Sequence, residues 1–349
     1  MSDADKEVGK KPIKVSIIIK ALNEQDNIER CLVSCIKAID GVVGEVILAD
    51  SLSEDDTVSI ASRFPVKVVQ LLNRADRGCG VAAQLGYQIA QGEYIYIIDG
   101  DMELPREFLL AALNVLDTES AIAGVGGQLE ELNPNSHIAR VRASRNKPGH
   151  QMVGVVDRLD GGGLFRRAAI VQAGGYITHC SLHAYEELEL ALRLRQAGWK
   201  LIRLDLVSMR HAAHTDRPLA FLARRWRSRY AFGSGELMRA ALGKPYLWQV
   251  LYEFRLNITV CIWWTLILSG VIANPWRPGL WAIAAALFVL PFVVMILRKR
   301  SLLFGVYAVL SWNVFSAGML RGLFGQLNDP RREIPSRILV ASSRDVAPP

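Results

Sequence analysis

The chain has 349 residues, long enough for one full α/β domain plus something else. Hydrophobic residues make up 51% and charged residues 21%, and the two kinds are segregated: residues 1–255 read as soluble protein, whereas residues 256–320 hold three uncharged apolar runs. The net charge of +7 suits anionic lipid or phosphate-bearing substrates and its distribution speaks against nucleic acid, while five cysteines, odd in number and without paired ligand spacing, speak against a zinc site.

In chain order, "MSDADKEVGKKPIK" carries no apolar segment of the secretory kind, so residues 1–13 are expected to be a disordered lead and the soluble part is expected in the cytoplasm. "VSIIIKAL" (15–22) predicts a strand that stops at the polar "NEQDN", and "IERCLVSCIKAI" then shows helical spacing, with Cys31 and Cys35 on one face as packed thiols. "EVILAD" (45–50) predicts a second strand, leading into "SLSEDDTVSIASRF", where Ser and Asp cap a helix. A third strand, "VKVVQLL" (66–72), is followed by a loop and the helix "VAAQLGYQIAQG". The fourth strand, in "YIYIIDGDMEL" (94–104), stops on two aspartates around one glycine. A turn would use the same residues. The alternative is that the carboxylates stand at the carboxyl edge of an open sheet, where ligands bind, and hold a divalent cation. Apolar strands alternating with helices of this length argue for βαβ units and a parallel sheet covered on both faces.

"GCGVAA" (78–83) also fits the dinucleotide pattern G-x-G-x-x-A, with Asp99 near the expected acidic position. Five residues, "NRADR", separate it from the preceding strand, and it is not the first βα turn; both features count against a nicotinamide or flavin site. Further on, "YEELELALRLRQAGWKL" (185–201) reads by itself as an amphipathic helix whose acidic first turn complements its dipole. His211 follows the strand-like "KLIRLDLVSM", and a lone histidine is more often structural than functional. Arg224, Arg225, Arg227 and Arg229 interleave with Phe221, Leu222, Trp226 and Tyr230, the composition of a helix lying on an anionic membrane surface; a solvated basic face is the alternative.

The apolar runs begin at Leu256, Leu280 and Leu302, and each is close to the ~20 residues that cross a bilayer. The third is the most polar, with Ser311, Asn313, Ser316 and Gly318. With the soluble part inside, Arg298, Lys299 and Arg300 also fall inside after two crossings. A third crossing would put Arg331, Arg332 and Arg337 outside, against the positive-inside rule, so the third run is expected to be re-entrant or interfacial.

Over roughly residues 14–215 these motifs resemble glycosyltransferase family 2, which has the GT-A fold. The family's first strand ends in N-E, matched by Asn23 and Glu24, although Lys20 and Ala21 stand where Pro and Thr are usual. Its D-x-x-S-x-D-x-T is matched by Asp50, Ser53, Asp55 and Thr57, and the resemblance makes Asp50 the partner of the nucleotide base. Its A-x-G-E-Y-I strand into D-x-D is matched by "AQGEYIYIIDGD"; this assigns Asp99 to the ribose and Asp101 to a Mg2+ or Mn2+ ion. Gly100 would leave room for the close approach of ligand. In the loop facing the diphosphate, Ala83 and Gln84 replace the usual Arg and Asn, and Arg74 and Arg77 are the candidates to restore the charge. "GGGLFRRAAIVQAGGY" (161–176) would help shape the donor and acceptor pocket. Aligned on E-D-x-D-L-x-L-R-L-R-x-A-G, the catalytic base is Glu187, a Glu for the usual Asp, with Glu186 beside it. His211 falls where some members place a metal ligand or a diphosphate contact.

The resemblance implies an α/β fold: a GT-A, Rossmann-like nucleotide-sugar-binding domain (14–215), then a basic interfacial segment (216–255), a membrane region (256–324) and a C-terminal tail (325–349). It implies an inverting transfer from a nucleotide-diphosphate sugar, UDP-linked rather than GDP-linked, to a lipid-linked or glycolipid acceptor at the inner membrane, with the catalytic domain facing the cytoplasm. A polyprenyl-phosphate sugar synthase is the alternative. A processive polysaccharide synthase would carry Q-x-x-R-W, and "LARRW" has Leu222 in place of the Gln. A non-catalytic nucleotide-sugar-binding protein would not need Asp50, Asp99, Asp101 and Glu187 together.

Overall fold

The computed structural model describes residues 12–132, 152–212, 218–273 and 276–341. The expected disorder of residues 1–13 falls almost wholly outside these. The chain forms two compact units, the first built from residues up to 181, 186–215 and 328–349, the second from 182–185 and 216–327.

The first unit begins as three βα steps and a fourth strand: β1 (Val15–Ala21), α1 (Ile28–Ala38), β2 (Gly44–Asp50), α2 (Thr57–Ala61), β3 (Lys67–Leu71), α3 (Cys79–Ile89) and β4 (Tyr94–Asp99). Then come β5 (Met102–Glu103), α4 (Arg106–Thr118), β6 (Ile122–Glu131), β7 (Gly154–Val156), β8 (Gly163–Arg166), α5 (Arg167–Gln172), α6 (Glu186–Gln196) and β9 (Lys200–His211). In the second unit, α7 (Pro218–Arg227), α8 (Gly233–Ala240) and α9 (Leu247–Glu253) precede the long helices α10 (Arg255–Ala273), α11 (Pro278–Lys299) and α12 (Leu302–Leu323). The chain then returns to the first unit as β10 (Ser336–Val340).

One sheet carries all the strands, in the order β10-β3-β2-β1-β4-β8-β6-β9-β5, with β7 on β9. The run β3-β2-β1-β4 is parallel, as the alternation of strands and helices requires. Beyond that half the sheet is mixed: β6 and β9 also pair in parallel, and the expectation of a parallel sheet fails only where antiparallel strands intervene. β8 runs antiparallel to both β4 and β6, and β5, β7 and β10 are antiparallel edge strands. Successive side chains of a strand point to opposite faces, so each strand feeds two cores. Ile17 and Ile19 join Leu48, Tyr96 and Phe108 on one face, while Ile18 joins Ile47, Val69, Val81 and Leu85 on the other. This two-sided burial explains why the parallel strands read as continuous apolar runs.

In the second unit, α10, α11 and α12 are long and apolar enough to cross a membrane. α10 has no buried side chain and α11 buries Met295 alone. α12 differs: Ser316, Gly318, Met319 and Gly322 are buried. The polar residues of the third run have partners there. Asn313 Oδ1 accepts from Trp264 Nε1 at 2.5 Å, and Ser316 Oγ accepts from Asn257 Nδ2 at 3.3 Å. Gly318 and Gly322 lie against the Ala231 and Phe232 carbonyls, where no Cβ would fit. α7 does not lay its whole apolar face outward: Leu222 is buried, Trp226 meets the Phe232 ring edge-on, and the Arg225 guanidinium stacks on Tyr230. Trp248 and Tyr252, one turn apart on α9, are instead among the most exposed aromatic side chains of this unit.

Candidate active site

Strand register decides which carboxylates meet. Ala21 pairs with Asp50 and Lys20 with Asp99, so the ends of β1, β2 and β4 lie side by side. That is the carboxyl edge of the parallel strands, where open α/β sheets bind ligands.

The loops after β1 and β2 interlock. Asn23, in the left-handed region at φ 57°, donates its N–H to Ser53 Oγ and accepts from Glu54 N; Glu24 N donates to Thr57 Oγ1 and Gln25 N to Asp55 Oδ2. Burial raises the Asp55 pKa, but donors from Thr57 and Gln25 outweigh it and leave the carboxyl below the usual range. Ser53, Asp55 and Thr57 therefore tie the two loops together. Asp50 is fully buried beneath them. Its Oδ1 accepts from Ser53 Oγ at 2.5 Å, and its Oδ2 from Ser53 N at 3.0 Å and Gln70 Nε2 at 2.8 Å.

Arg77, a candidate cation for the diphosphate, has partners within the protein. Its guanidinium donates to the Ser51 and Leu52 carbonyls and to Glu54 Oε1, and Arg74 pairs with Glu54 too. Gln84, which stands where the resembled family has Asn, accepts from Ile177 N. Gly100 N donates to the Lys20 carbonyl at 2.9 Å, and a Cβ at Gly100 would press on Glu24 Cγ. Its lack of a side chain thus allows the close approach of the Lys20 carbonyl and the Glu24 side chain.

Two charge clusters flank Gly100. In the first, Lys20 Nζ sits 2.8 Å from Asp99 Oδ1 and 3.6 Å from Glu186 Oε1. Burial works against the ammonium, but Asp99, Glu186 and Glu187 outweigh it and hold its pKa well above the usual lysine value. Glu187, beside Glu186 in the first turn of α6, is pushed up to about 8 by burial and by Glu186, against the pull of Lys20. In the second cluster, His211 Nε2 faces Asp101 Oδ2 at 3.2 Å and Nδ1 faces Glu131 Oε2 at 2.7 Å. Burial lowers the imidazole pKa, yet the hydrogen bonds to Asp101 and Glu131 carry it to about 9.

Glu131 and Gln70 were not foreseen, and Lys20 was seen without a role. The cue for Lys20 was a lone cation inside an apolar run, since buried lysines are almost always paired. The first arginine of "LRLRQAGW", Arg193, is structural: it binds Glu189 Oε1 and the Ala173, Tyr176 and Ile177 carbonyls. Among the described residues no three His, Cys, Asp or Glu side chains form a ready metal cage. Asp101 and His211 could supply two donors, with the remainder coming from a ligand. The Cys31 thiol is raised by its hydrogen bond with Cys35 and by burial, so this pair is the packed-thiol pair expected.

Residues 16–171 match the model of Glycosyl transferase family 2. The chain is similar to a dolichol-phosphate mannosyltransferase of Pyrococcus furiosus, 29% identical over 115 residues, 32% of this chain and 32% of that protein. It is also similar to a low-salt glycan biosynthesis hexosyltransferase of Haloferax volcanii, 30% identical over 125 residues, 35% of this chain and 29% of that protein. These matches span about a third of the relatives' own length. In fold it is similar to the mannosyltransferase PcManGT from Pyrobaculum calidifontis, solved in complex with GDP-Man and Mn2+, with a TM-score of 0.57, 21% identity, and coverage of 90% of this chain and 89% of that one.

Proposed function

From the premise that this chain belongs to glycosyltransferase family 2, we propose that it is an inverting transferase that moves a sugar from a nucleotide-diphosphate sugar to a hydroxyl of a lipid-linked acceptor. The observation that carries this reading is the cluster of Asp99, Glu186 and Glu187 around Lys20 at the strand ends, adjoining Asp101 and His211. UDP is the expected donor nucleotide, and Asp50 its base contact. A base N–H would take the Asp50 lone pair now held by the Ser53 hydroxyl.

Glu187 is the general base. Its raised pKa makes its ionised form a stronger proton acceptor than an ordinary carboxylate, and Lys20 keeps that form accessible. The acceptor hydroxyl gives its proton to Glu187 and attacks the sugar C1, while the nucleotide diphosphate leaves from the opposite face. Asp99 orients the donor ribose. Asp101 and His211 would hold a divalent cation, which would supply positive charge to the leaving diphosphate. The facing Asp101 Oδ2 and His211 Nε2 would suit such an ion once the imidazole gives up its Nε2 proton, with Nδ1 still donating to Glu131, and an imidazole in the donor set favours Mn2+ over Mg2+.

The outward apolar faces of α10 and α11 support attachment to a membrane, with the first unit on its cytoplasmic side at the inner membrane, where nucleotide-sugars are found. The exposed Trp248 and Tyr252 on α9, directly before α10, suit the headgroup layer. A second reading is a polyprenyl-phosphate sugar synthase, favoured by the similarity to the dolichol-phosphate mannosyltransferase of Pyrococcus. There the acceptor is a phosphate and needs no base. Incorporation of radiolabelled nucleotide-sugars into lipid extracts of membranes carrying the chain tests both readings. Product made by the wild type and lost with Glu187→Gln supports a hydroxyl acceptor; product retained by that variant supports the phosphate.

A further inference from the structure

Behind the candidate base contact stands a row of side chains that starts well outside the family-matched residues. Register pairs Asp50 on β2 with Gln70 on β3, and Gln70 with Arg337 on β10, so the three side chains stand in line on one face across three strands. Gln70 Nε2 donates to Asp50 Oδ2 at 2.8 Å, and Gln70 Oε1 accepts from Arg337 Nε at 3.1 Å and Nη2 at 2.6 Å. A guanidinium can only donate. Arg337 therefore draws the carbonyl end of Gln70 outward, which turns the amide's donor end toward Asp50.

The entry into β10 is pinned independently. Leu72 N donates to the Pro335 carbonyl at 3.0 Å, Ile334 N to Gln88 Oε1 at 3.0 Å, and Arg332 Nη2 pairs with Asp76 Oδ1. An ionised carboxylate offers about four lone-pair directions, and Asp50 has three occupied by Ser53 N, Ser53 Oγ and Gln70 Nε2. If a base N–H displaces the Ser53 hydroxyl, Gln70 is the side chain that still holds Oδ2.

We propose that Arg337 is a positioning residue for nucleotide recognition: through Gln70 it fixes Asp50 as a pure acceptor, which favours a base edge presenting a ring N–H, as uracil and guanine do, over one presenting a ring-nitrogen acceptor, as cytosine and adenine do. This rests on the donor reading given above. The C-terminal tail is thereby part of the donor site, although it reaches the sheet only after the long apolar helices.

The test is calorimetric titration of the full chain in detergent with UDP, GDP, CDP and ADP, each with Mn2+. The wild type should prefer UDP or GDP. Arg337→Ala should weaken the preferred nucleotide about fivefold, as expected for loss of a charge-assisted hydrogen bond acting at one remove, and should narrow its margin over CDP and ADP. Arg337→Lys should recover part of the loss. Gln70→Leu should cost at least as much, and the double variant should be no weaker than Gln70→Leu alone, because the two act in series. Arg331→Ala, which removes only a tail contact to the Gly174 carbonyl, should leave affinity unchanged. Should Arg337→Ala not fold, Arg337→Lys and Gln70→Leu carry the same comparison. Unchanged affinity in the Arg337 variants, or losses that simply add, overturns the row. A wild type that binds none of the nucleotides overturns the donor reading instead.

Discussion

Glu187 is a base only when ionised, and its environment resists ionisation: burial and Glu186 carry its pKa to about 8. Below that value the folded protein holds the proton, so kcat/KM should climb with pH along an acid limb centred near it. The neighbours set the direction of each shift. Lys20→Met removes the ammonium that favours the carboxylate and should move the limb to higher pH; Glu186→Gln removes a repelling charge and should move it lower. A limb that stays in place in both variants belongs to another group. At saturating pH, Glu187→Gln should lower kcat by ~10² to 10⁴ with donor binding nearly unchanged. Glu187→Asp should not restore the rate fully, since withdrawing the carboxylate by roughly 1 Å can cost ~10². The residues on which these predictions turn differ in how readable they were. Asp50, Asp99, Asp101 and Glu187 each sit where a strand ends or a helix begins, a boundary visible along the chain itself. Gln70 and Glu131 carry no such mark: Gln70 lies inside an apolar strand, and Glu131 meets His211 across 80 residues through the pairing of β6 with β9.

At the scale of elements, the same distinction holds for the sheet. Four strands separated by helices leave a parallel arrangement as the natural solution, and β1 to β4 adopt it. The remaining strands do not announce their direction, because the period of two is identical in parallel and antiparallel pairs. "SRILV" has five residues, and its place on the β3 edge follows from contacts hundreds of residues apart in sequence. The apolar helices were legible by length and composition, but the polar residues of the third were not legible as packing. α12 approaches α8 so closely that a Cβ on Gly235 would collide with the Met319 carbonyl. Gly235→Ala should therefore destabilise the second unit by about 1–3 kcal/mol, the usual cost of overpacking against backbone. Gly270 on α10 has open space around it. Gly270→Ala should be neutral or slightly stabilising, so thermal unfolding in detergent should separate the two substitutions, and equal midpoints would deny the close approach.

For the whole molecule, one count constrains the path through the membrane. β10 pairs with β3 in the sheet that also holds β1, β2 and β4, so residues 336–340 lie on the same side of any bilayer as residues 15–99. Between them, among the described residues, run three helices able to cross by length and composition. A chain that leaves and returns to one side crosses an even number of times, so three complete crossings are incompatible with the sheet. Of the three, α12 is the one whose residues are most often buried within protein, 28% of its apolar window against 0% and 6% for α10 and α11. It is also the one that brings Asn313 and Ser316 into interhelical hydrogen bonds. The charges agree: two crossings by α10 and α11 return Arg298, Lys299 and Arg300 to the side of the first unit, and an α12 that does not cross keeps Arg331, Arg332 and Arg337 there as well. We therefore expect reporters fused after Arg300 and at the C-terminus to report the cytoplasmic side together, and one placed between α10 and α11 to report the far side. A C-terminal alkaline phosphatase that is active beyond the membrane while the Arg300 fusion stays cytoplasmic would mean that α12 crosses, that β10 cannot reach β3, and that Arg337 cannot stand behind Asp50.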